Sequence, residues 1–363
     1  MKSEIPFLNL KQFPKELKEV LKAKFSEILD KGMFSGSEEV DLFESKLRTL
    51  LKSPYVISCS NGTDALELAL RALEIGHGDE VLVPALSWVS TAEAVVLVGA
   101  KPIYIDTDPS GLIDLTLLDD AVGSKTKAII PVHLYGKMVC MTQLAKWAKK
   151  KGIFIIEDAA QAIGAFENGI SAGLFGDIGC FSFYPSKNLG ALGEAGALTT
   201  KDKELAHKLR TLANHGQKSR DHHLRIGRNA RIDTLQAGFL NVMLNYFDLW
   251  QAKRKNLAQI YLEHLRDVNW ITLPQGTKQA NHNLHLFVIQ CEERDALKKH
   301  LELHGIYTAI HYPTIIPEIT PYRSGEEFPE SKRISQRILS LPLNPFIGEE
   351  EIKKVCDVLK RFA

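Results

Sequence analysis

The stretch DEVLVPALSWVSTAEAVVLVGAKPIYID, residues 79–106, decides the fold class. DEVLVP and PIYID are short apolar runs, of the kind that form strands buried on both faces. STAEAVVLVGA between them reads as a helix. A strand, a helix and a second strand make a crossover unit, which joins parallel strands with a right-handed turn. The pattern repeats on both sides. YVISC (55–59) reads as a strand and TDALELALRAL (63–73) as a helix with apolar residues at helical spacing. KAIIPVHLYG (127–136) reads as a strand, MTQLAKWAKKKG (141–152) as a helix ending at Gly152, and IFIIED (153–158) as a strand. Repeated units of this kind predict an α/β protein built on a doubly wound, mostly parallel sheet.

The character changes after about residue 230. IDTLQAGFLNVMLNYFDLWQAKRKNLAQIYLEHL (232–265) predicts one long helix or two consecutive ones. A domain boundary is placed within it, giving a large domain over 1–250 and a smaller C-terminal α/β domain over 251–363. That second domain is expected to hold strands in NLHLFVIQ (283–290) and IYTAIHYP (306–313). Its helices are expected in RDALKKHLELHG (294–305) and EEEIKKVCDVLKRFA (349–363).

Composition narrows the function. Lys and Arg number 45 against 44 Asp and Glu in 363 residues, which argues against a general nucleic-acid or membrane-surface binder. The five cysteines are scattered and show no CxxC, as reduced thiols of a cytoplasmic protein would. No apolar run reaches the length of a membrane span, and the first twenty residues show no signal-peptide pattern. His300 and His304 lie one helical turn apart but without the HExxH order or an evident third ligand, so no metal is expected. Gly190, Gly193 and Gly196 match neither a dinucleotide fingerprint nor a P-loop.

In doubly wound sheets ligands bind at the carboxyl ends of the strands. Four features fall there. SNGTDALELAL (60–70) sets small polar residues and a glycine at a helix N-terminus, where free amides and the helix dipole hold phosphate. Plain helix capping explains the same residues equally well. IFIIEDAAQAIG ends an apolar strand in Glu157-Asp158, and a buried carboxylate needs a cation such as a pyridinium or a structural partner. Trp88 sits in a strand-to-helix loop, where it could stack on a ring or simply fill core. CFSFYPSKNLGALGEAG (180–196) isolates Lys187 among aromatics and glycines. Low surrounding charge lowers a lysine's pKa and makes its amine nucleophilic. Ser182 and Ser186 flank it within reach of a phosphate. A phosphate cradle, a flat aromatic, a carboxylate and a lysine, in that order at strand ends, converge on pyridoxal 5'-phosphate.

NGTDALELALRAL, IIEDAAQAIGA, FSFYPSKNLGALGEAG and GRNARIDTLQAGFL together resemble the DegT-type sugar aminotransferases, from about residue 5 to the end. These are fold-type I pyridoxal-phosphate enzymes acting on keto-sugars carried by a nucleotide diphosphate. The resemblance implies that Lys187 carries the cofactor covalently and shuttles the proton. Asp158 would bond the pyridinium nitrogen, Gln161 would face the phenolic oxygen, and Trp88 would stack on the ring. Gly62, Thr63 and Ser182 would bind the phosphate. Asn229 would reach the phosphate of the neighbouring subunit's cofactor, which makes the expected active unit a homodimer. Relatives with histidine at the lysine position perform dehydration, and Lys187 argues against that branch. One departure is Gly193-Glu194-Ala195-Gly196, where relatives often read G-D-G-G; Ala195 asks for an L-compatible backbone.

The segment QKSRDHHLRIGRNAR (217–231) carries five cations against one acid, Asp221. Composition alone fits a solvated basic loop. The family's placement of the segment near the active site makes Arg220 and Arg228 candidate ligands of a nucleotide diphosphate. Tyr184 in SFYPSKNLGA resembles the branch acting on 3-keto sugars, and His311 in IHYP resembles a residue bordering the sugar pocket. The expected reaction is ping-pong transfer of an amino group from glutamate to a nucleotide-linked keto-sugar at C3. The alternatives are a 4-keto sugar, an amino-cyclitol ketone, and, from another class, a non-catalytic pyridoxal-binding regulator. That last reading lacks a separate basic helical module.

Overall fold

The computed structural model describes residues 4–362. After a short helical turn at Leu10–Gln12, helices α1 (Lys15–Lys31) and α2 (Glu38–Leu51) lead into the alternating region. There β1 (Tyr55–Cys59), α3 (Gly62–Ala72), β2 (Glu80–Pro84), α4 (Ser90–Leu97), β3 (Lys101–Ile105), α5 (Leu118–Ala121), β4 (Thr126–Ile129), α6 (Met141–Lys151) and β5 (Phe154–Asp158) follow in turn. A small hairpin, β6 (Phe166–Glu167) with β7 (Ile170–Ser171), precedes β8 (Ile178–Ser182), β9 (Gly196–Thr200) and α7 (Lys203–Ala213). A second hairpin, β10 (Gln217–Ser219) with β11 (His222–His223), precedes α8 (Thr234–Met243) and α9 (Phe247–Leu265). The remainder holds β12 (Ile271–Thr272), β13 (Phe287–Cys291), α10 (Arg294–Leu303), α11 (Pro329–Arg337), β14 (Ile338–Leu341) and α12 (Glu349–Lys360).

Seven strands form the central sheet in the order β1-β9-β8-β5-β4-β2-β3. Only β9 runs against the rest, pairing antiparallel with both β8 and β1. The parallel pairs are β2 with β3 and β4, β4 with β5, and β5 with β8. Their near-continuous burial explains the apolar runs read in the sequence. Reversing β9 brings its first residue, Gly196, to the end where β1, β5 and β8 terminate, so the loop after β8 returns across the mouth of the site.

The local signals act as expected at most element ends. Gly152 ends α6 in a left-handed conformation, φ 69°. Asp202 caps α7 by accepting from the amides of Glu204 and Leu205. The 232–265 pattern is two consecutive helices, joined by a single tighter turn at Leu244–Tyr246. Two expected strands are shorter or absent. The strand predicted over 127–136 stops at Ile129, because Pro131 has no amide to donate and Tyr135 adopts φ 61°. The strand predicted over 306–313 is only a pair of isolated bridges, Ile306 to Ile5 and Ala309 to Ser340. Beyond the second bridge the chain leaves the sheet and carries His311 and Tyr312 into the pocket described below.

Buried apolar residues form two clusters. One surrounds the seven-stranded sheet; the other holds Leu257, Tyr261, Phe287, Leu297, Leu339 and Ile352 around the three-stranded sheet β12-β13-β14, with Ile5 from the N-terminal segment. Trp250 belongs to the first cluster and Leu257 to the second, both on α9. We propose that the chain divides near residue 250, as the sequence suggests.

Candidate active site

The chain leaves β1 at Cys59 and enters α3 through Asn61, whose Oδ1 accepts from the Asp64 amide at 2.8 Å. That cap leaves the amides of Gly62 and Thr63 pointing out of the helix start, at the positive end of its dipole. Gly62 passes so close to β8 that a Cβ there would lie 2.8 Å from the Ser182 Cβ. Only glycine lets these two backbones meet. Ser182 ends β8, so the amides and the Ser182 hydroxyl make one small concave donor set, suited to a phosphate.

The last two residues of β5 point to opposite sides, as neighbours in a strand must. Glu157 is fully buried away from the site. It accepts from the amides of Gly173, Phe175 and Gly176 at 2.6–2.8 Å and pairs with His133 Nε2 at 3.0 Å. It holds the loop before β8. Asp158 faces the site. Its Oδ2 accepts from the Thr91 hydroxyl at 3.0 Å, and its Oδ1 from the Ala160 amide at 3.2 Å. Burial pushes the Asp158 carboxyl up, while the Ala160 amide, Thr91 and Lys187 pull it back.

Lys187 lies in the loop after β8, and its backbone amide donates to the Tyr184 carbonyl at 2.8 Å. Burial lowers its amine to about 8, against the opposing pull of Asp158. Its neighbour Asn188 is tied down on every side. Asn188 Nδ2 donates to Gln251 Oε1 at 2.9 Å and to the Asn283 carbonyl at 3.1 Å. Asn188 Oδ1 therefore accepts from His285 Nδ1 at 3.1 Å, and burial holds that ring well below the usual histidine range. Asn283 in turn donates to the carbonyls of Gln161 and Ile163 at 2.8 and 2.9 Å. One buried asparagine thus clamps the lysine loop and the Gln161 loop together.

Lys187, Asp158, Gln161, Trp88, Gly62, Thr63, Ser182, Tyr184, His311 and Arg228 all line one cavity of about 750 Å³. Trp88 is 56% exposed, its ring turned to the cavity and 5.4 Å from that of Tyr312. It fills no core. Gln161 donates to the Tyr312 hydroxyl at 3.2 Å and accepts from the Tyr135 amide at 2.7 Å. His311 Nδ1 bonds Ser340 Oγ at 2.9 Å, and burial lowers the ring to about 4. Arg228 already pairs with Asp64, at 2.8 Å, and with Glu67, so its charge is shared with α3. Two expected residues lie elsewhere in the chain. Asn229 is exposed and bridges Asn214. Arg220 stands on the β10–β11 hairpin with its side chain 96% exposed, 3.9 Å from Asp221.

Thr91, His285, Asn188 and Asn283 join the site without having been singled out in the sequence, and Tyr312 follows His311 into it from the IHYP segment. Thr91 lies three residues after Trp88 on the same helical entry, a spacing that could have flagged it. The others act through pairings between distant segments, which spacing does not encode.

The donor set fits pyridoxal phosphate on its own terms. A glycine-walled cradle at a helix start suits the phosphate. A buried carboxylate at a strand end lacks a full positive charge that a pyridinium supplies. A lysine held in apolar surroundings suits covalent attachment.

The model of the DegT/DnrJ/EryC1/StrS aminotransferase family matches residues 15–360. The chain belongs to this family. One relative is a UDP-N-acetyl-3-dehydro-alpha-D-glucosamine 3-aminotransferase of Acidithiobacillus ferrooxidans. It is 40% identical, over 98% of this chain and 97% of its own length. The structure of S. venezuelae DesV in complex with a ketimine intermediate superposes with a TM-score of 0.95. It is 35% identical and covers 99% of this chain and 98% of that one. NtdA from Bacillus subtilis, with bound cofactor PMP, superposes with a TM-score of 0.92 at 33% identity, over 99% of this chain and 85% of that one. The protein is a pyridoxal-phosphate-dependent aminotransferase of the fold-type I architecture. Among its described residues no helix is long and apolar enough to cross a membrane.

Proposed function

We propose that this DegT/DnrJ/EryC1/StrS family member transfers an amino group from glutamate to C3 of a keto-(deoxy)sugar linked to a nucleotide diphosphate, by a ping-pong route. The observation that carries the reading is the meeting of Lys187 and Asp158 beside the Gly62–Thr63 cradle in one cavity of about 750 Å³. Its volume accommodates a cofactor and part of a sugar nucleotide. The C3 assignment rests on the FYPSK pattern around Tyr184 and on the 3-aminotransferase named among the relatives.

The cofactor, when bound, supplies an aldehyde for reversible attachment of an amine and a ring that delocalises a carbanion. The chain does the rest. Gly62, Thr63 and Ser182 would hold the phosphate; Trp88 would cover the ring; Asp158 would keep a proton on the ring nitrogen. Lys187 Nζ would accept the proton of glutamate's α-carbon. In the second half-reaction Lys187 delivers a proton to the sugar carbon that becomes the amine-bearing carbon. A lysine lowered to about 8 is neutral often enough near neutral pH to accept that proton. Tyr184, His311 and Arg228 would contact the sugar nucleotide. Asn229 and Arg220, standing away from their own chain's cavity, would serve a neighbouring subunit in a homodimer. A cytoplasmic place in amino-sugar or polysaccharide biosynthesis follows from this substrate class.

The test is turnover with glutamate and UDP- or dTDP-linked 3-keto sugars, 4-keto sugars and a keto-cyclitol, reading 2-oxoglutarate release. Preference for a 3-keto nucleotide sugar is expected. Preference for a 4-keto sugar or for the cyclitol would overturn the assignment.

A further inference from the structure

A second cavity, of about 250 Å³, lies away from the cofactor cradle, between Pro109–Ser110 of the large sheet's loops and the Thr272–Gln275 segment after β12. Two of its lining residues, Lys137 and His282, are partners in an antiparallel bridge. The Met138 amide donates to the Asn281 carbonyl and the Asn283 amide to the Gly136 carbonyl, each at 2.9 Å, which fixes the pairing. Bridge partners project their side chains from the same face, so the ammonium and the imidazole stand side by side.

The chemistry of these two groups is asymmetric. Among the described residues no carboxylate or other acceptor meets Lys137 Nζ. His282 is 2% exposed, and the Leu284 amide donates to its Nδ1 at 3.1 Å. Nδ1 therefore carries no proton. Burial, with Lys137 adding, pushes the ring down to about 4, so it is neutral and its single proton sits on Nε2. His282 lines the cavity, and its N–H is the donor that the ring can offer to a ligand there. None of the described residues lining the cavity is acidic, and its other cation, Arg333, is already paired with Glu330. The remaining walls are largely apolar. An imidazole N–H beside a cation without a counter-charge favours an anion, through charge-assisted hydrogen bonds.

We propose that this cavity is a second binding site, which takes a compact organic anion, a carboxylate or a phosphate monoester, and communicates with the catalytic pocket through Tyr135. The cavity is smaller than one for a drug-sized ligand, so a nucleotide-linked sugar does not fit it. Tyr135 forms part of its wall. The same residue donates its amide to Gln161 Oε1 and its hydroxyl to the His311 carbonyl, both at 2.7 Å. An anion that binds one position of Tyr135 better than another must shift Gln161 and His311 with it, and the catalytic ligands must reciprocally change the anion's affinity.

The experiment uses the holoenzyme, whose phosphate cradle is filled. Citrate and glucose 6-phosphate, a carboxylate and a phosphate source, are titrated by calorimetry into wild type and Lys137→Met, which keeps the lysine's stem. Saturable binding of one probe, weakened about tenfold or more in Lys137→Met, is expected from loss of one charge-assisted bond. The bound probe should also shift the KM for the amino acceptor in wild type and not in Lys137→Met. Absence of saturable binding by both probes, or equal affinity in the variant, would overturn the site. Lys137-dependent binding with no shift in KM would overturn the route through Tyr135. The binding readout stands whatever sugar the enzyme takes.

Discussion

At the scale of single residues the account rests on two charges held in a buried pocket. On the proposed reading Lys187 attaches the cofactor and moves the proton, so Lys187→Ala should reduce turnover to background in a coupled 2-oxoglutarate assay. On the same reading Asp158→Asn removes the charge proposed to keep the ring nitrogen protonated, and single-turnover loss of glutamate's α-proton should slow by about a hundredfold or more. The amine attacks only when neutral, and its neutral fraction rises with pH up to its pKa of about 8. Covalent capture of pyridoxal phosphate by the apoenzyme should therefore speed up about tenfold per pH unit below 8 and level off above it. A rise that continues to the ordinary lysine range near pH 10.5 would show that burial does not act on this amine. The sequence made Lys187 legible through its uncharged surroundings. Strand alternation alone does not say which of Glu157 and Asp158 faces the site; the motif resemblance named Asp158, and the fold turns that carboxylate into the cavity and Glu157 away from it.

At the scale of elements, strand ends do the positioning. Phosphate binding depends on the close approach of the α3 start to β8. Gly62→Ala would drive a methyl group against Ser182, and the cofactor's dissociation constant should rise about tenfold, by fluorescence titration, with the fold retained. The Asn283 clamp joins three segments, with Asn283 lying 95 residues from Asn188 and 122 from Gln161 in the sequence. Asn283→Leu leaves the Gln161 and Ile163 carbonyls without donors and should cost about 2 kcal/mol or more in urea unfolding. It should also weaken cofactor retention, because the Gln161 loop is released from the segment whose backbone carbonyl anchors Asn188 beside Lys187. The alternating strands and helices were legible because burial on both faces writes apolar runs directly into the chain. The 306–313 segment reads as a strand for the same reason, yet it forms only bridges, since its end is drawn into the catalytic pocket. The clamp was not legible, because no local pattern marks an asparagine whose partners are carbonyls of distant loops.

At the scale of the whole molecule, two apolar cores share α9, and buried rings sit where they meet. His282 and His311 are both held near 4, below the unfolded value of about 6.5. The unfolded chain therefore binds more protons between those values, and stability falls as pH drops from about 6.5 toward 4. Each ring contributes up to about 1.4 kcal/mol per pH unit. His285 is shifted the same way, while Asp158, raised by burial, opposes the trend in the apoenzyme. Urea melts at pH 7, 5.5 and 4.5 should show this loss; equal stability at all three would contradict the buried-histidine reading. The family was legible at this scale from four motifs in order, whereas the second cavity came only from the folded chain. The most direct measurement of the central claim is the visible spectrum of the protein purified with pyridoxal phosphate, before and after glutamate is added without any sugar. The account predicts a yellow absorbance that bleaches with glutamate in wild type and is absent in Lys187→Ala. A wild-type band that glutamate leaves unchanged, or a Lys187→Ala protein that behaves as wild type, would contradict it.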